Sequence, residues 1–343
     1  MGSASKGTRA LFFSRTWDFL EHYLPRQAGR SPRTVDTYRD ALTVFRRWLR
    51  DERGISISSM TFGDCTRDLV LSFLEWMRDG GLSAGTCNNR LAALRSYLWY
   101  AAGDDVAIQS VALAVSRVPK VKGPQRVKEV LSEAALRAVL SAPDADSPKG
   151  VRDRAMLALL YDSAIRLSEL VGLTVGDVRL DGEPSVFVTG KGRKERFVAI
   201  TEPAAAQLRA HIARNHGDAP DSSEPLFYTV HQGKHCRMSD GNVQRIVQQY
   251  ANKARESCPE VPEKVYPHMM RRTRATDLWE AGVEAELISN VLGHASVNTT
   301  MLYAKPSLEK MRAAMESGTS VPDAEEPAWV GSEDEMARLC GLR

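Results

Sequence analysis

"PSVFVTGKGRKERFVAI", residues 184–200, is the stretch on which the choice of fold turns. Two short β-rich runs, Val186 to Thr189 and Arg196 to Ile200, are joined by "GKGRKE". Runs of that kind closed by a glycine-bearing connection read as an antiparallel hairpin, here with a basic tip. Nearly everything on either side has a helical period instead. "LSEAALRAVLSAP" and "GVRDRAMLALLYDSAIRLSELVGL" precede the hairpin. After it, helical patterns run to about residue 317, broken by the polar loop "HGDAPDSSEP" and the short apolar "PLFYTV". This part of the chain is expected to be mainly α with a small antiparallel β-sheet.

Further towards the N-terminus four amphipathic helices are expected and no strand. In "SPRTVDTYRDALTVFRRWLRDERG", Ser31 is the N-cap and Pro32 the first helical residue. Val35, Tyr38, Leu42, Phe45 and Leu49 form the apolar stripe, and Gly54 stops the helix. "FFSRTWDFLEHYL", "TRDLVLSFLEWMRDGG" and "SAGTCNNRLAALRSYLWYAAG" repeat that logic, and Arg33, Arg39, Arg46, Arg47, Arg90 and Arg95 decorate the polar faces. Between the two regions lies "RVPKVKGPQRVKEV", where Arg117, Lys120, Lys122, Arg126 and Lys128 stand against one acid, with Pro119, Gly123 and Pro124 breaking regular structure. These breaks give a helical domain over 10–115, a basic linker over 116–130, a second domain over 131–317 and an acidic tail over 318–343.

The whole-chain numbers fit two ordinary domains: 343 residues, 43% apolar and 26% charged. The net charge of +3 hides the contrast between basic linker and acidic tail. Five cysteines, scattered and without a C-x-x-C pair, argue against a disulfide framework and a cysteine zinc site, and so for a reducing cytoplasm. Neither a membrane-spanning run nor an apolar signal region is present, so a membrane role is not expected.

Four patterns in the second domain supply cations or proton carriers. In "SAIRLSEL", Arg166 and Glu169 are three apart, so the carboxylate can hold the guanidinium in one orientation. In "TGKGRKERF", Lys191 stands between glycines at the hairpin tip, beside Arg193, Lys194 and Arg196. The spacing of a nucleotide-binding P-loop is absent, so ATP is not expected. In "YPHMMRRTRATDLWEAG", Pro267 starts a helix whose first turn offers His268 and Arg271 to an anion. In "NVLGHASVNTTMLYAKPS", His294 follows Gly293, and Tyr303 comes after two threonines.

One chemistry uses all of these groups, the cleavage of a phosphodiester by transesterification. Tyrosine attacks phosphorus; Arg166, Arg271 and His294 hold the non-bridging oxygens in place of metal ions, each donor worth on the order of 3 kcal/mol in the transition state. His268, with a free value near 6.5, suits a general base, and Lys191 can protonate the leaving 5′ oxygen. The covalent phosphotyrosine keeps the energy of the broken bond, so religation needs no cofactor.

The ordered set "AIRLSEL", "TGKGRKERF", "PHMMRRTRAT" and "LGHASVNTTMLY" resembles that of the tyrosine recombinases, the phage-integrase and Xer-type enzymes. The resemblance spans about 130–310 and, less specifically, 10–115, which is similar to their core-site-binding domain. It implies Arg166 and Arg271 as the arginine pair, Lys191 as the hairpin lysine, His268 and His294 as the two histidines, Tyr303 as nucleophile and Glu169 as supporting acid. Arg272 departs from the pattern, since many relatives carry histidine there. The resemblance also implies a two-domain clamp on duplex DNA, four protomers on two sites, and exchange of a C-terminal helix, here "SLEKMRAAMES" at 307–317. A first helical pattern starting near residue 10 leaves no separate arm-site domain, so a simpler recombinase is expected.

The linker cations, with Arg193 and Lys194, are expected on phosphates, which position rather than specify. "HQGKHCRMSDGNVQRIVQQY" groups His231, His235 and Cys236, but a fourth ligand is missing and the neighbouring cations disfavour a metal, so no metal site is expected. A basic loop leading into a helix capped by Ser239 is preferred, with Gln244, Arg245 and Gln249 available to base edges. The competing readings are a type IB topoisomerase, which uses a similar set of residues, and a catalytically silent DNA-binding protein.

Overall fold

The computed structural model describes residues 9–103, 105–124, 129–190, 194–293 and 332–341. The chain divides into two compact units, residues 1–127 and 128–343. Both are mainly helical, and the second contains two small antiparallel sheets.

In the first unit the chain enters through a 3-10 turn, Phe12–Arg15, one α-turn, Thr16–Asp18, and a π-helical run, Phe19–Gln27. Pro25 lies inside that run; it has no N–H for an α-helical bond, and the wider turn tolerates it. Helix α1, Pro32–Arg53, starts on Ser31, whose side chain accepts from the Thr34 amide, and ends where Gly54 turns left-handed at φ 64°. Helices α2, Arg67–Asp79, and α3, Ala84–Ala102, are capped in the same way by Thr66 and Ser83. The sequence misses a fifth element, α4, Val106–Ser116, which Asp105 caps by accepting from two amides. It is short and apolar almost all round, so it lacks the stripe that marks an amphipathic helix.

The core of this unit is aromatic. Phe12, Phe19, Phe45, Trp48, Phe62, Phe73 and Tyr97 are buried together, and the rings of Phe45, Phe62 and Tyr97 lie 5.7, 5.4 and 5.2 Å from that of Phe12. Among the arginines expected on polar faces, Arg33, Arg46 and Arg47 are exposed. The others also serve the fold: Arg39 pairs with Glu21 at 3.0 Å, Arg95 donates to the carbonyls of Val115 and Val118, and Arg90 reaches the Met77 sulfur.

The second unit opens with α5, Glu133–Ser141, α6, Pro148–Asp162, and α7, Leu167–Gly172. Strands β1, Val178–Arg179, β2, Ser185–Thr189, and β3, Glu195–Ala199, form one sheet in sequence order. The expected hairpin is β2–β3, in register Val186 to Val198, with Val186, Val188 and Val198 buried on the inner face. Helix α8, Glu202–Asn215, follows. A second hairpin then appears where a basic loop was expected: β4, Tyr228–His231, and β5, Lys234–Arg237, are joined by Gln232 and Gly233 at φ 49° and 74°. Two successive left-handed residues make the tight turn that matches strand twist. Helices α9, Asp240–Arg255, α10, Pro267–Glu280, and α11, Ala285–Leu292, complete the unit, and α12, Glu333–Leu339, lies in the acidic tail. No described helix is long and apolar enough to cross a membrane.

His211 on α8 is wholly buried, its Nε2–H donating to the Leu226 carbonyl at 2.7 Å. Burial pushes its pKa down from 6.5 to about 4. The unfolded chain therefore binds the proton first, and stability is lost as pH falls from 6.5 towards 4, by on the order of 3 kcal/mol at most. Urea unfolding at several pH values should show this slope, and His211→Gln should flatten it.

Candidate active site

The site is built around one carboxylate. Arg166 is the residue before α7 and Glu169 its third helical residue, whose carboxylate reaches back to the helix start. Glu169 Oε2 accepts from the Arg166 amide at 2.8 Å, and Oε1 from Arg166 Nη1 at 2.9 Å. A second guanidinium shares the same acid. Arg196 on β3 donates from Nη1 to Oε1 at 3.1 Å and from Nη2 to Oε2 at 3.0 Å. The Glu169 side chain is 2% exposed. Burial alone pushes its pKa up, but the hydrogen bonds from Arg196 and the Arg166 amide, with both positive charges, outweigh it and hold the group below the usual carboxylate range.

The arginines reach out from this centre to a helix end. Arg166 Nη2 donates to the Gly293 carbonyl at 2.7 Å. Arg271, on α10 and 2% exposed, donates from Nη2 to the Leu292 carbonyl at 2.6 Å and from Nη1 to the Ala164 carbonyl. Leu292 and Gly293 are the last turn of α11, whose carbonyls lack helical partners. Two arginines of the expected set thus converge on consecutive carbonyls immediately before His294. Ala164 is held at φ 50°, an unusual conformation for a residue with a Cβ, and the order of cost is 1–2 kcal/mol. That turn aims its carbonyl at Arg271.

Two glycines admit the close approach. Gly293 sits at φ 59°, and a Cβ there would lie 2.7 Å from Arg196 Cζ. At Gly190 a Cβ would lie 3.0 Å from Glu169 Oε1, so the residue before Lys191 packs on the shared acid. A cleft of about 650 Å³ opens here, lined by Arg166, Gly190, Lys194, Arg196, Asn290 and Gly293.

His268 is exposed at the second position of α10, one turn before Arg271. The Arg271 side chain, by contrast, is buried, with Nη1 and Nη2 on backbone carbonyls. Arg272, where the family resemblance expects histidine, is also buried and donates to the Tyr266 hydroxyl at 2.7 Å. Lys194 is exposed at the foot of the hairpin tip. Lys191, Arg193, His294 and Tyr303 lie outside the described residues, as do Arg126, Lys128 and the 307–317 segment. Arg117, Lys120 and Lys122 are exposed at the end of the first unit, and Gln244, Arg245 and Gln249 on the outer face of α9. Sequence reasoning passed over Arg196 as part of a basic cluster. Its one local sign was a place on the hairpin strand one residue after an acid, which says nothing of a partner 27 residues away.

The pleat of the second hairpin also separates the cluster considered for a metal. His235 pairs with Val230, while Cys236 pairs with Thr229 and His231 with Lys234, so His235 projects from one face and the other two from the opposite face.

Comparison with known proteins returns one family over both units. The model of the phage integrase family matches residues 129–310, and that of the phage integrase N-terminal SAM-like domain matches residues 18–103. A tyrosine recombinase XerD of Pseudomonas aeruginosa is 32% identical over 293 residues, 84% of this chain and 92% of its own. Among solved structures, a XerH site-specific recombinase bound to a palindromic difH substrate after cleavage superposes with a TM-score of 0.66 at 20% identity, covering 86% of this chain and 82% of that one. A lambda integrase tetramer bound to a Holliday junction gives 0.63 at 16% identity, covering 84% and 76%.

Replacing Glu169 with Gln leaves two guanidinium groups beside a neutral amide and should cost roughly 3 kcal/mol in urea unfolding at neutral pH. A carboxyl with a depressed folded pKa stabilises above its ordinary value of 4.5 and loses that contribution as pH falls through the folded value. The gap between wild type and Glu169→Gln should therefore shrink on acidification below that point. Gly293→Ala should lose about 1–2 kcal/mol from left-handed strain and from displacement of Arg196, measured in the same way.

Proposed function

The chain belongs to the phage integrase family of tyrosine recombinases, enzymes that cleave and rejoin DNA strands, and we propose how its residues divide that work. Tyr303 attacks the scissile phosphorus and forms a 3′-phosphotyrosine while the 5′ oxygen leaves. Arg166 and Arg271 bind the non-bridging oxygens as charge builds on the pentacoordinate phosphate, and His294 adds a hydrogen bond. Lys191, swinging on the hairpin tip, gives its proton to the leaving oxygen. His268 takes the proton of Tyr303. Attack by the 5′ hydroxyl of a partner strand reverses these steps and restores the phosphodiester.

The observation that supports this most is the placement of the two arginines on the Leu292 and Gly293 carbonyls. It gathers guanidinium groups from α10 and from the start of α7 at the point where the chain enters His294. Donors fixed beforehand cost no reorganisation when the transition-state charge develops. Glu169 acts through Arg166 and Arg196: it orients both and offsets part of their mutual repulsion.

On DNA, we assign the domains as 10–115 for the core site, 116–130 as a cationic strap along the backbone and 131–317 for catalysis. We place this work in the cytoplasm. The outer face of α9, with Gln244, Arg245 and Gln249, meets base edges in the major groove. Four protomers join on two sites and exchange the 307–317 segment, passing through a Holliday junction. A lambda integrase tetramer of this fold, bound to a Holliday junction, supports the tetramer and the junction.

The test is a nicked suicide substrate from the neighbouring genome, whose short cleaved fragment escapes and traps the intermediate. A covalent protein–DNA adduct is expected, mapping by mass spectrometry to Tyr303 and absent in Tyr303→Phe. An adduct on another residue, or one that survives that substitution, overturns the assignment.

A further inference from the structure

Away from the phosphate site, three side chains from separate parts of the second unit meet at the foot of the β4–β5 hairpin. His216 follows the end of α8, Glu224 lies in the loop after it, and His235 stands on β5. One donor atom from each lies within 4.8 Å of the others. Glu224 Oε2 is 3.0 Å from His216 Nδ1 and 3.3 Å from His235 Nδ1. Ligands bound at about 2.0–2.2 Å around a tetrahedral zinc ion stand roughly 3.3 Å apart, close to the separation of Glu224 Oε2 from each imidazole nitrogen.

The surroundings hold this geometry. The His216 side chain is completely buried. The His235 ring stacks on Tyr228 at 3.6 Å, and the Tyr228 hydroxyl donates to the Asn215 carbonyl at 2.6 Å, tying the hairpin to the end of α8. The Glu224 carbonyl accepts from the Val175 amide at 2.9 Å. Arg152, whose Nη1 donates to the Tyr228 carbonyl, has its charge matched by Asp153 at 2.7 Å.

His216 is held between two oxygen atoms. Its Nε2 is 3.0 Å from the Leu226 carbonyl and its Nδ1 faces the Glu224 carboxylate, so both ring nitrogens meet proton acceptors. A neutral imidazole has one N–H. If that proton sits on Nε2 and points to the carbonyl, the Nδ1 lone pair is turned towards Glu224 and His235. A backbone carbonyl fixing the far nitrogen is the usual outer support of a metal-bound histidine.

We propose that His216, Glu224 and His235 form a site for one divalent transition ion of the zinc type, with solvent completing the coordination. Two imidazoles and a carboxylate suit that class of ion. Any proton on His216 Nδ1 or His235 Nδ1 passes to solvent when the ion binds. The ion would clamp the hairpin against the end of α8, just ahead of the Ser239 cap of α9, and the proposal stands independently of the recombination chemistry.

The test is calorimetric titration of chelator-treated full-length protein with Zn2+, alongside His235→Ala, Glu224→Gln and a Cys236→Ser control. The variants change side chains at the open side of the site and leave buried His216 in place. Binding of one equivalent is expected in wild type and in Cys236→Ser, with affinity weakened at least about tenfold in each of the other two. Zn2+ should raise the thermal midpoint of wild type and have a smaller effect on those two variants. Failure of wild type to bind one equivalent, or undiminished binding by both ligand variants, overturns the proposal and leaves a carboxylate–histidine hydrogen-bond cluster.

Discussion

A carboxylate removed from water and held between two guanidinium groups organises the catalytic unit. Glu169 receives Arg166 from its own helix start and Arg196 from the neighbouring sheet, so one acid fixes the relation of a helix to a hairpin. Desolvating an ion costs several kcal/mol, and only good geometry with further hydrogen bonds offsets it. Here both oxygens accept from Arg196, and they accept in addition from the Arg166 side chain and amide. Gly190 and Gly293 then permit the chain just after β2 and the end of α11 to approach that ion pair.

The rest of the second unit supplies rigidity to this centre. Arg274 of α10 donates to the Asp162 carbonyl and side chain at the end of α6, and Tyr161 donates to Asp277 at 2.7 Å. Thr201 contributes its amide and hydroxyl to the same Asp162. The turn that follows α6, through Ala164 to Arg166, is thereby fixed from two sides. Its backbone can keep a left-handed alanine because neighbouring contacts determine the conformation locally.

Much of this was legible in the sequence because the responsible forces are local. Ser31, Pro32 and Gly54 mark the ends of α1 through their own backbone chemistry, and the valines of β2 and β3 alternate as a half-buried sheet requires. The Arg166–Glu169 pair was readable for the same reason, being three residues apart. The partnership of Arg196 with Glu169, and the meeting of His216, Glu224 and His235, depend on tertiary packing and have no short-range signature. The β4–β5 hairpin was hidden differently. Its turn uses Gln232 where asparagine or aspartate would have announced it, and β5 is exposed throughout, so no apolar alternation marked the strand. Lys191, His294 and Tyr303 were proposed from sequence order and lie outside the described residues.

Arg271 illustrates how one side chain can hold two occupations at once. Its guanidinium satisfies the Leu292 carbonyl at the end of α11 and the Ala164 carbonyl in the turn beyond α6, so it serves as a terminal plug for two chain segments. In a mutational scan such a position answers two questions with one number. An inactive substitution there would report the loss of the proposed phosphate-binding cation and the loosening of two backbone termini together, and no assay of turnover separates them. Pairing each variant with its folding free energy makes the position interpretable, and only the part of the defect that exceeds the loss of folded protein belongs to chemistry.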